Sequence, residues 1–220
     1  MEQNINKEDI DGYTPLICAC RKGYENIVKY LIERGAHINK KLINDHNMLL
    51  NPCKKGHITI VKYLIDYGAN VNKETNNGIT PLFYACFKGN IDVVKYLVEH
   101  GANINKESNK GYTPVLYAFQ EGYIDVVRYL VELGANINKE DNDGETLLFR
   151  ACQSGNLDLV NYLVEHNANI NKEDNDDSTP LFYACESGHE EIVKYLVEHG
   201  TNINKKKQKW WNSIVLYFFQ

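Results

Sequence analysis

The sequence predicts an all-α fold, an α-solenoid in which two short helices and a loop are repeated along the chain. The first observation is a period of 33 residues, which separates Thr80 from Thr113 and Thr146 from Thr179 without insertions. The second is that each period contains two segments with apolar side chains at helical spacing. The third is that glycines recur at fixed places between these segments. Such units bury a continuous core by stacking on their neighbours.

The stretch from Asn77 to Lys110 represents the repeated unit. Thr80 is expected to cap the first helix, with its hydroxyl accepting a hydrogen bond from a free backbone N–H. Pro81 follows at the first helical position, where its missing N–H has no consequence. Small and apolar residues continue the helix, and Gly89 ends it.

The second helix of the unit is expected to begin near Asp92, because an acidic residue is favourable at the positive end of a helix. Its apolar residues lie on one face: Val93, Val94, Leu97 and Val98. Gly101 is expected to adopt the left-handed conformation after this helix. The polar run from Asn105 to Gly111 then forms a hairpin-like loop that leads to the next Thr-Pro.

The glycines support this division of the unit. All 15 fall into three groups: four lie shortly before the threonine, six join the two helices and five follow the second helix. Asn167 occupies one cap position where the other units have glycine. Asparagine is the next most tolerant residue of positive φ, so the same backbone is expected there.

The pattern resembles the ankyrin repeat. The resemblance is carried by the Gly-x-Thr-Pro-Leu-x-x-Ala start, the glycine in mid-unit and the Gly-Ala-x-Ile/Val-Asn end, and it covers nearly the whole chain in six units. One departure is regular, because apolar residues replace the histidine that often follows Thr-Pro-Leu in the family. The replacements are Ile17, Leu50, Phe83, Leu116, Phe149 and Phe182. The hydrogen bond of that histidine is therefore lost, and apolar packing is expected in its place.

We expect one domain over residues 1–220 with repeats at about 11–43, 44–76, 77–109, 110–142, 143–175 and 176–208, and a partial unit at 209–220. In the second repeat, Pro52 predicts a first helix that is kinked or shortened around Asn51 to Lys54. Asn51 could cap such a helix anew. The apolar tail from Asn212 to Phe219 is interpreted as a flap over the last repeat, with a truncated array or a docking segment as alternatives.

Composition narrows the class of protein. The net charge of −5 argues against broad nucleic-acid binding, and the chain has no apolar run of membrane-spanning length. Five cysteines share one position on the first helices: Cys20, Cys53, Cys86, Cys152 and Cys185. Neighbouring helices pack about 8–10 Å apart, too far for a disulfide or a shared zinc ion. We therefore expect buried thiols, no metal, no cofactor and an intracellular, cytoplasmic protein.

No catalytic constellation is present. The sequence contains no Gly-rich phosphate loop, no Gly-x-Ser-x-Gly and no metal-spaced histidine pair on a helix. Acidic pairs such as Glu140 and Asp141 recur with the period and are interpreted as solvated loop residues. His100, His166 and His199 are interpreted as solvated residues at the ends of second helices. We expect a non-catalytic protein.

The resemblance implies that a protein partner binds a concave face built from loop tips and first helices. The loop-tip positions that match are Tyr13, Ile79, Tyr112 and Glu145, with His46, Ser178 and Trp211 in the same phase. The first-helix positions that match are Arg21, Lys22, Lys54, Lys55, Phe87, Lys88, Gln120, Glu121 and Glu186, with Gln153, Ser154 and Ser187.

Charge is sorted along these positions, with basic residues in the N-terminal half and acidic residues in the C-terminal half. This field would orient a dipolar partner. Our hypothesis is that Phe87 and Tyr112 anchor the partner while the lysine pairs set its orientation. The alternatives are a regulator that blocks an enzyme, or a piece of a larger receptor, channel or ligase adaptor. Nucleic-acid binding through Lys205 to Lys209 is the weakest alternative. A monomer is expected.

Overall fold

A computed structural model of the protein describes residues 5–39 and 48–203. His46, Trp211, the Lys205 to Lys209 run and the apolar tail lie outside the described residues. The described part contains twelve α-helices: α1 (Pro15–Lys22), α2 (Glu25–Glu33), α3 (Leu50–Lys55), α4 (Ile58–Asp66), α5 (Pro81–Phe87), α6 (Ile91–Glu99), α7 (Pro114–Gln120), α8 (Ile124–Glu132), α9 (Leu147–Ser154), α10 (Leu157–Glu165), α11 (Pro180–Glu186) and α12 (Glu190–Glu198). None of these helices is long and apolar enough to cross a membrane.

The helices belong to two compact units, Met1–Ala135 and Asn136–Gln220. In the first unit, the first helices of the repeats pack in the series α1, α3, α5 and α7, and the second helices pack in the series α2, α4, α6 and α8. In the second unit, α9 packs on α11 and α10 packs on α12. The all-α prediction is confirmed. The hairpin-like loops are closed by backbone hydrogen bonds such as Thr75 N–H to Ile79 O, and the described residues include no β-strand.

The apolar residues that replace the family's histidine belong to the core, as the sequence predicts. Phe83 and Phe149 are completely buried, and Ile17, Leu50 and Leu116 are buried with them, whereas Phe182 is partly exposed. The five cysteines that share a position on the first helices are also buried, which confirms that prediction. Burial raises the pKa of the Cys20 thiol to about 12 and that of Cys185 to about 11.

The predicted turns are confirmed by the backbone. All fifteen glycines have positive φ, and Asn167 adopts φ 66° in the cap position where its neighbours have glycine. Asparagines near the end of each repeat then connect successive repeats. Asn72, for example, donates from Nδ2 to the carbonyl of Gly101 at 2.8 Å and accepts the N–H of Asn103 at 2.9 Å. Because Asn6, Asn39, Asn105, Asn138 and Asn171 make one or both of these bonds, the stacking is reinforced by polar contacts.

The first helix of the second repeat is shortened, as Pro52 predicts. It has six residues and begins at Leu50. Because the helix begins at Leu50, Pro52 lies in its first turn. The N–H groups of the first turn have no acceptor within the helix, so the missing N–H of proline breaks no intrahelical hydrogen bond. The expectation that Asn51 caps the helix is wrong, because Asn51 lies inside the helix and Leu49 occupies the cap position.

The threonine caps differ from the sequence-based expectation. Each threonine occupies the N-cap position with an extended backbone, but only the Thr14 hydroxyl accepts a helix N–H, from Ile17 at 3.4 Å. The expected bond from the Thr80 hydroxyl is absent, because the N–H of Phe83 donates to the Thr80 carbonyl instead. The buried hydroxyls of Thr80, Thr113 and Thr146 have no hydrogen-bond partner among the residues that the structure describes.

Replacing Thr80 by valine is therefore expected to raise the free energy of unfolding by about 1 kcal/mol, because an unsatisfied buried hydroxyl is exchanged for a methyl group of the same shape. The matched substitution Thr14→Val removes a hydroxyl that is bonded and is expected to lower stability by about 1 kcal/mol. Urea unfolding of both variants measures the two changes. Equal destabilisation by both substitutions would contradict the assignment of an unsatisfied hydroxyl at Thr80.

Candidate functional site

The predicted first-helix positions of the first unit lie at equivalent places on four helices that pack in series. Arg21 and Lys22 end α1, Lys54 and Lys55 end α3, Phe87 and Lys88 end α5, and Gln120 and Glu121 end α7. Phe87 is partly exposed, and the other seven residues are exposed. We refer to these eight residues as the first-helix row.

A hollow of about 160 Å³ lies beside the middle of the first-helix row. Its lining is almost entirely aromatic and aliphatic: Ile79, Phe83, Tyr84, Phe87 and Tyr117. The ring of Tyr117 meets Phe87 edge-on at 6.2 Å between ring centroids, and it meets Tyr112 at 5.7 Å. The two residues that we expect to anchor a partner therefore contact the same ring. We call this site the aromatic hollow.

A second pocket, of about 270 Å³, lies at the start of the first-helix row. It is lined by Cys18, Arg21, Lys22, Asn51 and Lys55, and we call it the basic pocket. The ammonium of Lys55 donates to the Arg21 carbonyl at 2.7 Å, a favourable contact at the negative end of α1. The Arg21 guanidinium lies 4.7 Å from the centre of the Tyr13 ring, so the predicted loop-tip residue Tyr13 supports the pocket.

The basic residues of the first-helix row have no carboxylate partner within the described residues. This applies to Arg21, Lys22, Lys54, Lys55 and Lys88, whereas Lys106 forms an ion pair with Glu74 at 3.0 Å. The ammonium of Lys88 instead lies 4.5 Å from the centre of the Phe87 ring. The first unit therefore presents an unneutralised positive field next to exposed apolar surface.

Sequence reasoning missed one series of residues that lines both pockets. Cys18, Asn51, Tyr84 and Tyr117 are separated by 33 residues each and lie about one helical turn before the first-helix row. The sequence contains a signal for this series, because its positions share one phase of the period but vary in side chain. In the second unit the same phase is occupied by Arg150 and Tyr183.

In the second unit, this phase forms an internal polar network. The Arg150 guanidinium binds the carboxylates of Asp141 and Glu145. The Tyr183 hydroxyl lies 2.8 Å from a carboxylate oxygen of Glu145 and 2.9 Å from one of Asp174, so that the two acceptors share its single proton. Burial, together with these two carboxylates, raises the pKa of Tyr183 well above its usual range. The candidate site residue Glu145 is thus already engaged within its own unit.

The network corrects the interpretation of Asp141 as a solvated loop residue. Asp141 is only 8% exposed. Besides binding Arg150, its carboxylate accepts the backbone N–H groups of Asp143 and Glu145 at 3.0 Å each. Ser178, in the same phase as Glu145, is also buried, whereas the candidate residue Glu186 is exposed at the end of α11.

The remaining candidate groups are the acidic, cysteine and histidine side chains. The described residues include no group of three or more histidine, cysteine, aspartate or glutamate side chains that could hold a metal ion. The His100, His166 and His199 rings stack on tyrosines one turn earlier, and each ring bonds through Nδ1 to the carbonyl of its tyrosine. These histidines therefore end the second helices, as the sequence predicts.

Comparison with known proteins agrees with this architecture. A family model described as ankyrin repeats (3 copies) matches residues 1–42, 49–141 and 133–207. A search of curated proteins finds no match to the chain. The family model covers most of the sequence, and its repeat corresponds to the helix pairs described above. The chain belongs to the ankyrin repeat family.

Proposed function

We propose that the chain binds a protein partner through the first-helix row and loop tips of the first unit, with Phe87 and Tyr112 as its anchor. Ankyrin repeats are general protein-interaction modules. The observation that carries the proposal is the aromatic hollow, which Phe87 and Tyr117 line, with Tyr112 packed against the ring of Tyr117. Aromatic side chains at the centre of a patch are the usual source of binding energy in protein interfaces.

The surroundings of the hollow favour this role. Ile79 and Phe87 line it from the loop tip and from the end of α5, so a partner would contact both types of candidate position at once. Charged residues flank the hollow, with Lys88 on one side and Glu121 on the next helix. An apolar centre with a charged rim is the common composition of a specific interface.

The test is a quantitative pull-down from native lysate with the wild-type chain and with a Phe87→Ala, Tyr112→Ala variant. We expect the variant to lose the specific partner, since truncating a central aromatic residue commonly costs about 2 kcal/mol or more. The matched control is Tyr30→Ala, Tyr67→Ala, which removes two exposed aromatic residues of the same unit, one within α2 and one directly after α4. Circular dichroism verifies that each variant is folded.

The outcome shows whether the partner binds at the aromatic hollow or at another surface of the molecule. A partner that binds the control but not the Phe87→Ala, Tyr112→Ala variant supports the proposal. A partner that both variants retain would contradict it and would move the interface away from the aromatic hollow.

A further inference from the structure

We infer that the partner presents an extended acidic segment, whose carboxylates enter the basic pocket and whose large apolar side chain, about five or six residues away, fills the aromatic hollow. This inference rests on the proposed function and specifies the chemistry of the partner. It is carried by the basic pocket, the aromatic hollow and the serial packing of the four helices that form them.

The basic pocket has the donors that carboxylates require. Arg21, Lys22 and Lys55 line it, and none of them has a carboxylate partner in the part of the chain that the structure describes. Lys55 uses one donor on the Arg21 carbonyl, but an ammonium has three. The Arg21 guanidinium can form two parallel hydrogen bonds with one carboxylate. Lys54 and Lys88 extend the positive field along the row.

The space in the basic pocket is related to the side chains that lie one helical turn before the first-helix row. Cys18 and Asn51 are short, whereas the equivalent positions of the next two repeats hold Tyr84 and Tyr117. The short side chains leave space for an incoming group between the cations. The two tyrosines instead build the walls of the aromatic hollow. One periodic position thus determines where a polar group fits and where an apolar group fits.

The spacing of the two pockets defines the length of the segment. The basic pocket lies on α1 and α3, and the aromatic hollow lies on α5 and α7, two helix steps further in the same series. Two steps at the usual interhelical distance correspond to about 16–20 Å. An extended chain covers this distance with about five or six residues. A single peptide segment can therefore reach both pockets without folding.

The charge balance favours a protein segment over a nucleic acid. The whole chain has a net charge of −5, so its positive field is local to the first-helix row. A nucleic acid would need a broad basic surface for its phosphates. A short acidic segment needs only the few cations of the row, and its apolar residue fits a hollow with very little polar surface.

The test is a selection of randomly displayed peptides on the full wild-type chain, followed by affinity measurements on the enriched sequences. We expect enriched peptides to carry two or more acidic residues and, about five or six positions away, a large apolar residue. Arg21→Glu, Lys55→Glu is expected to weaken their binding at least tenfold. Phe87→Ala is expected to weaken it to a similar extent.

The matched control is Lys62→Glu, Lys95→Glu, which makes the same change in net charge on exposed residues of α4 and α6. It is expected to change affinity less than threefold. An equal loss in the control would show attraction by net charge alone and would overturn the inference. A fluorescent single-stranded oligonucleotide that binds the wild type more tightly than the peptides, and depends on Arg21 and Lys55, would also overturn it.

The selection distinguishes this inference from the proposed function. Enriched peptides without acidic residues that still require Phe87 would contradict the acidic partner and leave the proposed interface intact. Enriched peptides that bind the Phe87→Ala and the Arg21→Glu, Lys55→Glu variants as tightly as the wild type would contradict both. A selection that enriches no peptide would also count against an extended segment as the occupant.

Discussion

Replacing Gly89 by alanine is expected to lower the free energy of unfolding by about 2–5 kcal/mol, because two costs add at this position. Gly89 joins α5 to α6 with φ 63°, a left-handed conformation that is unfavourable for alanine. A Cβ atom at Gly89 would also overlap the ring of Tyr123, which the next repeat places against the glycine. The ring would have to leave its packed position.

Gly122→Ala is the matched control. Gly122 occupies the same place in the next repeat with φ 81°, but a Cβ atom there would have no neighbour within 4 Å. Only the conformational cost of about 1–2 kcal/mol is expected. Urea unfolding measures the difference between the stability losses of the two variants. Adding Tyr123→Ala to the Gly89→Ala variant should recover most of that difference. Equal losses at Gly89 and Gly122 would show that the ring contact carries no energy.

The period of the sequence was sufficient to predict the backbone of the fold. The repeats share most of their local signals: four of the six have a proline at the start of the first helix, and positive φ occurs at glycines, Asn167 and Asp177. Because the same signals recur, an ambiguous signal in one repeat can be interpreted from the others. Even the exception was informative, because Pro52 predicts the shortened helix α3. Local backbone chemistry therefore determines most of this architecture.

Contacts between repeats were harder to predict, since they depend on which side chain the neighbouring repeat supplies. The sequence placed Thr80 at the cap position, but the loss of its hydrogen bond depends on how the first turn closes. Phe87 and Tyr112 could be nominated from their phase, whereas their shared contact with the Tyr117 ring depends on how neighbouring repeats pack. The candidate site was thus predicted as a set of positions, but not as two separate pockets.

The carboxylates of the second unit show the same limit. Asp141 and Glu145 are two among many acidic loop residues, and the period alone suggests that they are solvated. What distinguishes them is Arg150, which replaces the cysteine, asparagine or tyrosine of the earlier repeats and brings a cation to the same loop. A charge introduced into an otherwise neutral periodic position was the signal for a buried ion pair.

Replacing Arg150 by methionine is expected to lower the free energy of unfolding by about 3–5 kcal/mol, because it leaves buried acidic groups without their cation. The Asp141 side chain is 2% exposed and that of Glu145 is 15% exposed. Methionine retains the apolar stem of arginine, so the loss reports the guanidinium rather than a cavity. Lys194→Met is the matched control in the same unit, since Lys194 also contacts two carboxylates, those of Glu190 and Glu191, but in solvent. It is expected to leave stability almost unchanged.

A double-mutant cycle with Asp141→Asn separates the ion pair from other effects of the substitution. Asparagine removes the charge that Arg150 neutralises, so Arg150→Met should be less destabilising in the Asp141→Asn background than in the wild type. A coupling of about 1–3 kcal/mol is expected for groups in direct contact. If the two substitutions are simply additive, Arg150 stabilises the second unit by packing and not by its charge. Urea unfolding of the four proteins distinguishes these outcomes. The pH and ionic strength are kept constant, because salt screens a buried pair much less than an exposed one.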